Sequence, residues 1–395
     1  MVLDLDAGYD PIVRSKMPEL DTIRGTAIVL VLFFHGYYWS VGSTGLSGLE
    51  KVFVEITRSG WLGVNLFFVL SGFLITGILL DSKGEQHYFR DFYTRRALRI
   101  LPAYYGILII LLLDGLKPRS FLVLSLLFLA NVTSLFGVLA AYPVLWSLAV
   151  EEHFYLLWPT VVHKLSNRAV QRCAIVIVCF TPALRVASFF FGRVNGALTF
   201  TWLVTDGLAM GAWLAAYVRD PGLTRGKLAW VSAGTMGVAL FILICGAPFG
   251  IMSRQSLVGT ALMESCGDLA FLGLLAIFLL LGTSKWKFIV QRPLLSFYGN
   301  VSYGLYLIHM LVFEWYDRLV RAFRPQISDL TGHFGLITFR FVVCVAVSTG
   351  LASLSRRYFE GYFMRLRSHF LSSTDERTTA THPTNQLETI KGPVL

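Results

Sequence analysis

The sequence predicts an all-α, polytopic membrane helix bundle with about ten transmembrane spans and one re-entrant segment. Three observations predict it. The composition is 55% hydrophobic and only 15% charged, with a mean hydropathy of +0.63, whereas a soluble domain carries about 25% charged residues. Apolar runs long enough to cross a bilayer recur along the whole chain of 395 residues. Between those runs the basic residues collect on alternate loops, as they do in membrane proteins.

Taken in order, residues 1–19 form a polar lead expected in the cytoplasm. The first span covers 20–40. It lacks a small-residue cleavage site, so it is read as a membrane helix and not a signal peptide. A loop with Gly42, Gly45 and Gly48 leads to the second span, 61–80, where Gly63, Ser71, Gly72 and Gly77 permit close helix contact. Residues 81–99 are charged, and Pro102 opens the third span, a position where its missing N–H does no harm. Residues 120–139 are apolar, but a crossing there would move every later loop to the wrong side, so they are read as re-entrant or interfacial. Spans four to ten follow at 144–163, 173–191, 199–218, 228–245, 258–283, 296–316 and 335–355. The transmembrane domain is thus 20–358, and 359–395 reads as a polar, aperiodic, disordered cytoplasmic tail.

With the N-terminus inside, about two-thirds of the 34 Lys and Arg fall on the cytoplasmic side, which supports ten spans with both termini cytoplasmic. The same loops account for the formal net charge of +10 without nucleic acid as a partner. Cys173, Cys179, Cys245, Cys266 and Cys344 lie in or beside apolar runs with no CxxC spacing, which suits small buried residues better than disulfides or a metal site. No Walker, GxGxxG, HExxH or GxSxG motif occurs.

Chemistry is expected from ionisable residues inside the spans. Arg24 and His35 lie about three helical turns apart, on one face and about 16 Å apart along the axis. Such groups usually face a bundle interior or a water-filled cavity, so this face is expected to line one catalytic passage through the bilayer. Burial favours a neutral imidazole, which can accept a proton from a hydroxyl. The competing readings are a packed histidine and a snorkelling arginine. Arg96 and Arg99 are helical neighbours whose guanidinium groups suit phosphate oxygens, with a positive-inside signal as the competing reading. Glu151 and Glu152 are adjacent in the fourth span. At about 100° per residue, one is expected to line the cavity and the other to pair elsewhere. An ion pair with Arg185 or Arg340 competes as the account of Glu151. His309 in the ninth span and Asp206 in the sixth are read as either packing or site residues, and His163 as a solvated loop residue.

The stretches LDTIRGTAIVLVLFFH, WLGVNLFFVLSGFLIT, FYTRRALRILP, WSLAVEEHFYLLWP and SYGLYLIH run from residue 20 to 309. In that order the chain resembles the integral-membrane acyltransferase family 3, which includes bacterial polysaccharide O-acetyltransferases and some macrolide acyltransferases. The resemblance implies a ten-helix core in the bacterial cytoplasmic (inner) membrane. It implies that an acyl group, acetyl by default, is taken from cytoplasmic acyl-CoA and passed to a hydroxyl, often of a sugar at the outer face. Arg24 and His35 match the family's arginine–histidine pair, and Arg96 and Arg99 its two-arginine motif, a contact for the coenzyme's phosphates. Trp146, Glu151, Tyr303 and His309 match other recurrent positions. Thr22, His153 and Leu311 depart from the common glycine, glutamine and proline, which leaves the acceptor open.

The expected mechanism has His35 as general base, with Arg24 along the donor's path and Glu151 or His309 orienting the imidazole. Arg96, Arg99, Tyr303 and Trp146 are expected on the acyl-CoA side, with no metal. A proton-coupled secondary transporter of a small solute is the alternative, because a bundle with intramembrane His, Glu and Arg suits one.

Overall fold

Where two helices each bring a glycine to their crossing, the backbones can meet directly. Two such crossings set the middle of this protein. The structure, a computed structural model, describes residues 12–14, 16–40, 42–190, 199–324, 330 and 332–372. Helix α1 (Pro18–Phe33) crosses α13 (Pro293–Phe323) at Gly25 and Gly299. A Cβ on either glycine would collide with the partner backbone, at Leu295 or at Asp21. Helices α3 (Leu62–Asp81) and α9 (Asp206–Tyr217) repeat the device with Gly72 against Leu208 and Gly211 against Val69. Gly63 brings α3 against Ala27 of α1. The row α13–α1–α3–α9 is therefore continuous, and the small residues seen in the second span serve it as expected.

The remaining helices flank this row. Helices α4 (Tyr88–Asp114), α6 (Leu145–Lys164) and α14 (Phe334–Leu354) pack around α3 and α13. Helices α7 (Asn167–Phe190), α10 (Arg225–Gly246) and α11 (Leu257–Gly282) pack on the α9 side. Val176, Phe180, Trp230, Phe241 and Ile244 on α7 and α10 are exposed, which for a bilayer protein is a lipid-facing surface. Among the described residues six helical stretches are long and apolar enough to cross a membrane. Every element assigned there is helical, and the protein is an integral membrane protein.

Three boundaries differ from the sequence reading, at Pro102, in the sixth span and past residue 358, while 120–139 holds no helix long enough to cross. Pro102 does not open the third span but sits inside α4, so Arg96 and Arg99 stand on the same helix as the apolar run. Hydropathy alone treats charged residues as loop, whereas here they remain helical because they face a cavity. The sixth span is broken into the single turn α8 (Thr201–Val204) and α9. In 120–139 the only α-helix, α5 (Arg119–Leu126), has 8 residues, about 12 Å, too short to cross a hydrocarbon core of about 30 Å. The helical structure also runs on past 358, through a π turn at Ser355–Glu360 into α15 (Gly361–Ser372), which packs on α4. The rest of the tail, 373–395, lies outside the described residues. Helices α2 (Gly48–Thr57) and α12 (Lys287–Val290) are short connections.

Candidate active site

Helix α1 ends in a π turn, Phe34–Trp39, that carries His35 on its first half. Wide turns of this kind are rare and weaken the regular backbone ladder, so they need holding in place. Gly36 leaves room for the rings of Phe341 and Phe313 against the turn. Arg340 of α14 then clamps it. Its Nη1 donates to the Gly36 carbonyl (3.2 Å) and its Nη2 to Ser40 Oγ (3.3 Å). Asp317 of α13 accepts from the same guanidinium at 2.6 and 2.7 Å, and Phe313 lies under it at 4.5 Å. Ser40 Oγ in turn donates to the His35 carbonyl.

His35 and His309 are both buried and touch. His309 Nδ1 lies 3.1 Å from the Leu305 carbonyl, and His35 Nδ1 lies 3.1 Å from the Val31 carbonyl. His309 Nε2 is 3.2 Å from His35 Nδ1. A carbonyl only accepts, so both Nδ1 atoms carry the protons. His35 Nδ1–H is then shared between Val31 and the lone pair of His309 Nε2. His35 Nε2 is left as an unprotonated acceptor.

Two cavities meet at this point. One, of about 170 Å³, is lined by Arg24, Arg96, Arg99, Glu151, Glu152, Tyr155 and Tyr303. The other, of about 750 Å³, is lined by His35, Trp39, Trp61, Asn65, Asn131, Trp146, Arg254, Glu264 and Asp268. Val64, Phe68 and Tyr306 line both and form the partition. The Tyr306 hydroxyl shares a hydrogen bond with Ser147 Oγ (2.6 Å), which ties the partition to α6.

The family model described as an acyltransferase domain matches residues 17–353. The chain belongs to this family. It is similar to the peptidoglycan O-acetyltransferase OatA of Listeria monocytogenes, with 25% identity over 88% of this chain and 56% of that protein. It is also similar to the putative peptidoglycan O-acetyltransferase YrhL of Bacillus subtilis, with 34% identity over 87% of this chain and 57% of that protein. The O-acetyltransferase OatA of Staphylococcus aureus shares 27% identity over 77% of this chain and 51% of its own length. The chain thus spans little more than half the length of these curated relatives. No solved structure matches it significantly.

In this member of the family the expected site residues divide between the cavities. Arg24, Arg96, Arg99, Glu151 and Tyr303 come together in the smaller one. His35 opens on the larger one, and His309 stands behind it, lining neither. The single passage expected along the Arg24–His35 face is therefore divided. Both residues do face inward, but their axial separation leaves space for a layer of side chains, and Phe68 and Tyr306 fill it. Trp146 is also not with the arginines: it lines the larger cavity, its ring edge-on to Phe68 at 5.9 Å.

The expectation that only one of Glu151 and Glu152 faces the cavity is corrected, since both line it. The wall wraps far enough around α6 to take in both directions. Among the described residues Glu151 forms no ion pair with Arg185 or Arg340; its Oε2 accepts from Tyr155 (3.0 Å). Arg185 pairs instead with Asp206 (2.5 Å) and Arg340 with Asp317. Asp206 thus has the helix-pairing role. Arg24 donates to Asp21 (2.6 Å), and the Tyr303 hydroxyl donates to the Ile100 carbonyl (2.8 Å).

Several site residues had gone unread in the sequence. Glu264 and Asp268 stand one turn apart in an otherwise apolar span, and Asn65 lies in the second span. Polar groups at membrane depth were the available signal. Arg340 had been noticed only as a partner for Glu151. Among the described residues no group of three His, Cys, Asp or Glu is placed to hold a metal.

Proposed function

We propose that the chain is a membrane O-acyltransferase that moves an acyl group, acetyl by default, from cytoplasmic acyl-CoA to a hydroxyl of a carbohydrate or glycosylated acceptor. The observation that carries this reading is the His35–His309 pair: a buried imidazole that lines one cavity, its Nδ1–H held by the Val31 carbonyl and His309 Nε2. A positioned neutral imidazole is the group that deprotonates a hydroxyl at neutral pH. The relatives' names point to a cell-wall glycan as the acceptor class.

The smaller cavity suits the donor. Arg96 makes only ring contacts, with Tyr155 at 5.5 Å and Phe92 at 6.0 Å. Neither Arg96 nor Arg99 forms a hydrogen bond or ion pair with another described residue, so their donors are open to phosphate oxygens, which guanidinium groups bind well. Exposed Arg99 holds the nucleotide end at the mouth, and the narrow cavity admits only a thin pantetheine arm. Arg24 marks the path inward, and Tyr306 must yield for the thioester to reach His35.

In the transfer His35 Nε2 takes the acceptor proton as the oxygen attacks the thioester carbonyl. The new C–O bond forms, the C–S bond breaks, and the sulfur leaves as a thiol with the proton returned from His35. His309 Nε2 accepts from His35 Nδ1–H throughout and steadies the imidazolium. This assignment places the Arg96 side in the cytoplasm with both termini, and ten spans in the bacterial cytoplasmic membrane. The described geometry offers nothing that favours the transporter alternative.

The test is acetyl-CoA with a neutral oligosaccharide and the full-length protein in nanodiscs, reading thiol release and the mass of the sugar. Acetyl ester on the sugar with equal thiol release is expected. Proton-coupled solute uptake with no ester formed would overturn the reading.

A further inference from the structure

The larger cavity holds a polar wall that the transfer chemistry at His35 does not use. Asn65 Nδ2 donates to Glu264 Oε2 (3.1 Å) and to Asp268 Oδ1 (2.9 Å). This fixes both carboxylates of α11 on the same cavity as His35. Arg254 donates to the other Glu264 oxygen (2.7 Å) and lies over the Trp61 ring at 4.8 Å. Its charge is thereby engaged. Asp268 is 1% exposed, and its Oδ2 makes no hydrogen bond with another described residue.

A second, independent feature points to a ligand. Asn131 is 2% exposed and lines the cavity. Its Nδ2 donates to Thr201 Oγ1 (2.9 Å), which also meets His153 Nδ1 at 2.7 Å. Its Oδ1 has no partner. Buried amide oxygens are nearly always satisfied, and this acceptor has no donor among the described residues, which leaves it open to one from a ligand. Trp61 and Trp146 add flat apolar faces to the same cavity. Acceptor oxygens beside aromatic faces match a ring that presents hydroxyl donors at its edge and C–H groups on its face.

We infer that Asn65, Asn131, Glu264 and Asp268, together with Trp61 and Trp146, form the acceptor subsite, and that it takes a neutral or cationic polyhydroxyl ring and discriminates against an anionic one. The inference rests on the acyltransferase reading for the word acceptor, but the subsite itself is a binding site and is testable without transfer. The charge preference follows from the wall. Glu264 is paired with Arg254 and Asp206 with Arg185, which leaves Asp268 as the wall carboxylate with no cationic partner among the described residues, so an incoming carboxylate meets like charge there in a poorly solvated place.

The test is equilibrium binding of three tetrasaccharides to the full-length protein in nanodiscs: cellotetraose, the glucosamine tetramer and tetragalacturonate. The two non-anionic sugars are expected to bind at least about tenfold more tightly than the uronate. Asp268→Asn and Asn131→Leu should each weaken cellotetraose binding about tenfold, with acetyl-CoA binding unchanged. Because both touch buried groups, Ala140→Lys on the exposed rim of the cavity provides a gentler variant, and it should narrow the gap to tetragalacturonate. Equal binding of all three sugars, or cellotetraose binding untouched by Asp268→Asn and Asn131→Leu, would overturn the inference. Normal sugar binding with no acetyl-CoA binding would instead overturn the donor assignment and leave the subsite standing.

Discussion

The two cavities are built by overlapping helices and share Val64, Phe68 and Tyr306, yet they differ in sign and size. The smaller presents three guanidinium groups against two carboxylates; the larger presents three carboxylates and a single arginine. In the smaller, Arg96 and Arg99 form no ion pair with a carboxylate among the described residues. In the larger, Arg254 is already bound to Glu264 and the amide of Asn131 is left open. On the proposed reading, the difference lets one bundle serve an anionic donor and a non-anionic acceptor, with a thin aromatic layer between them. His35, backed by His309, opens on the larger cavity beside that layer, where the two proposed substrates would meet.

The largest break in this division should come at the layer itself. His35→Ala is expected to lower kcat about 10²- to 10⁴-fold, the usual contribution of a general base. Acetyl-CoA affinity, read by equilibrium dialysis, should stay normal, because His35 faces the other cavity. A loss of donor affinity would mean that the cavities are not separate in function. Next, Arg96→Ala with Arg99→Ala should raise the donor KM about 10- to 100-fold, as expected from removing charge-assisted hydrogen bonds of about 1.5–3 kcal/mol. The acceptor KM should hold. Equal effects on both constants would remove the assignment of the smaller cavity to the donor.

A smaller effect is expected from Arg340→Gln, which loosens the π turn without touching either cavity wall. We expect kcat to fall about tenfold with both KM values kept, the signature of a misaimed group rather than lost binding. Arg340→Lys should restore little, since an ammonium cannot reproduce the two-pronged bond to Asp317. Lower thermal stability with unchanged kcat would make Arg340 purely structural. The smallest effect belongs to Tyr306→Phe. Losing the bond to Ser147, about 1 kcal/mol, should loosen the partition and raise acetyl-CoA hydrolysis without acceptor by about fivefold. Unchanged hydrolysis would show that Tyr306 holds nothing shut.

Much of this was legible from residue order. The small residues Gly63 and Gly72 announced close crossings, and the crossings occur there. Arg24 and His35 on one helical face announced an inward-looking pair, and both do look inward. Arg96 and Arg99 announced themselves as neighbours, although their helix begins earlier than hydropathy suggested. What the sequence did not show was partnership. Glu151 had Arg185 and Arg340 as candidate partners inside the spans, but Arg185 takes Asp206, and Arg340 takes Asp317 and the π turn. The division of one passage into two also left no sequence signal, because Phe68 and Tyr306 read as ordinary span residues.

By itself the sequence determined the class of the protein and the depth at which its charges sit. A bilayer requires long apolar helices and tolerates ionisable groups only where something inside the bundle receives them, and both constraints can be read along a single line of residues. Only the tertiary structure decided which groups receive which. Contacts between residues hundreds of positions apart, such as His35 with His309 or Asn65 with Asp268, depend on how helices cross, and that geometry is fixed by the packing of the whole bundle.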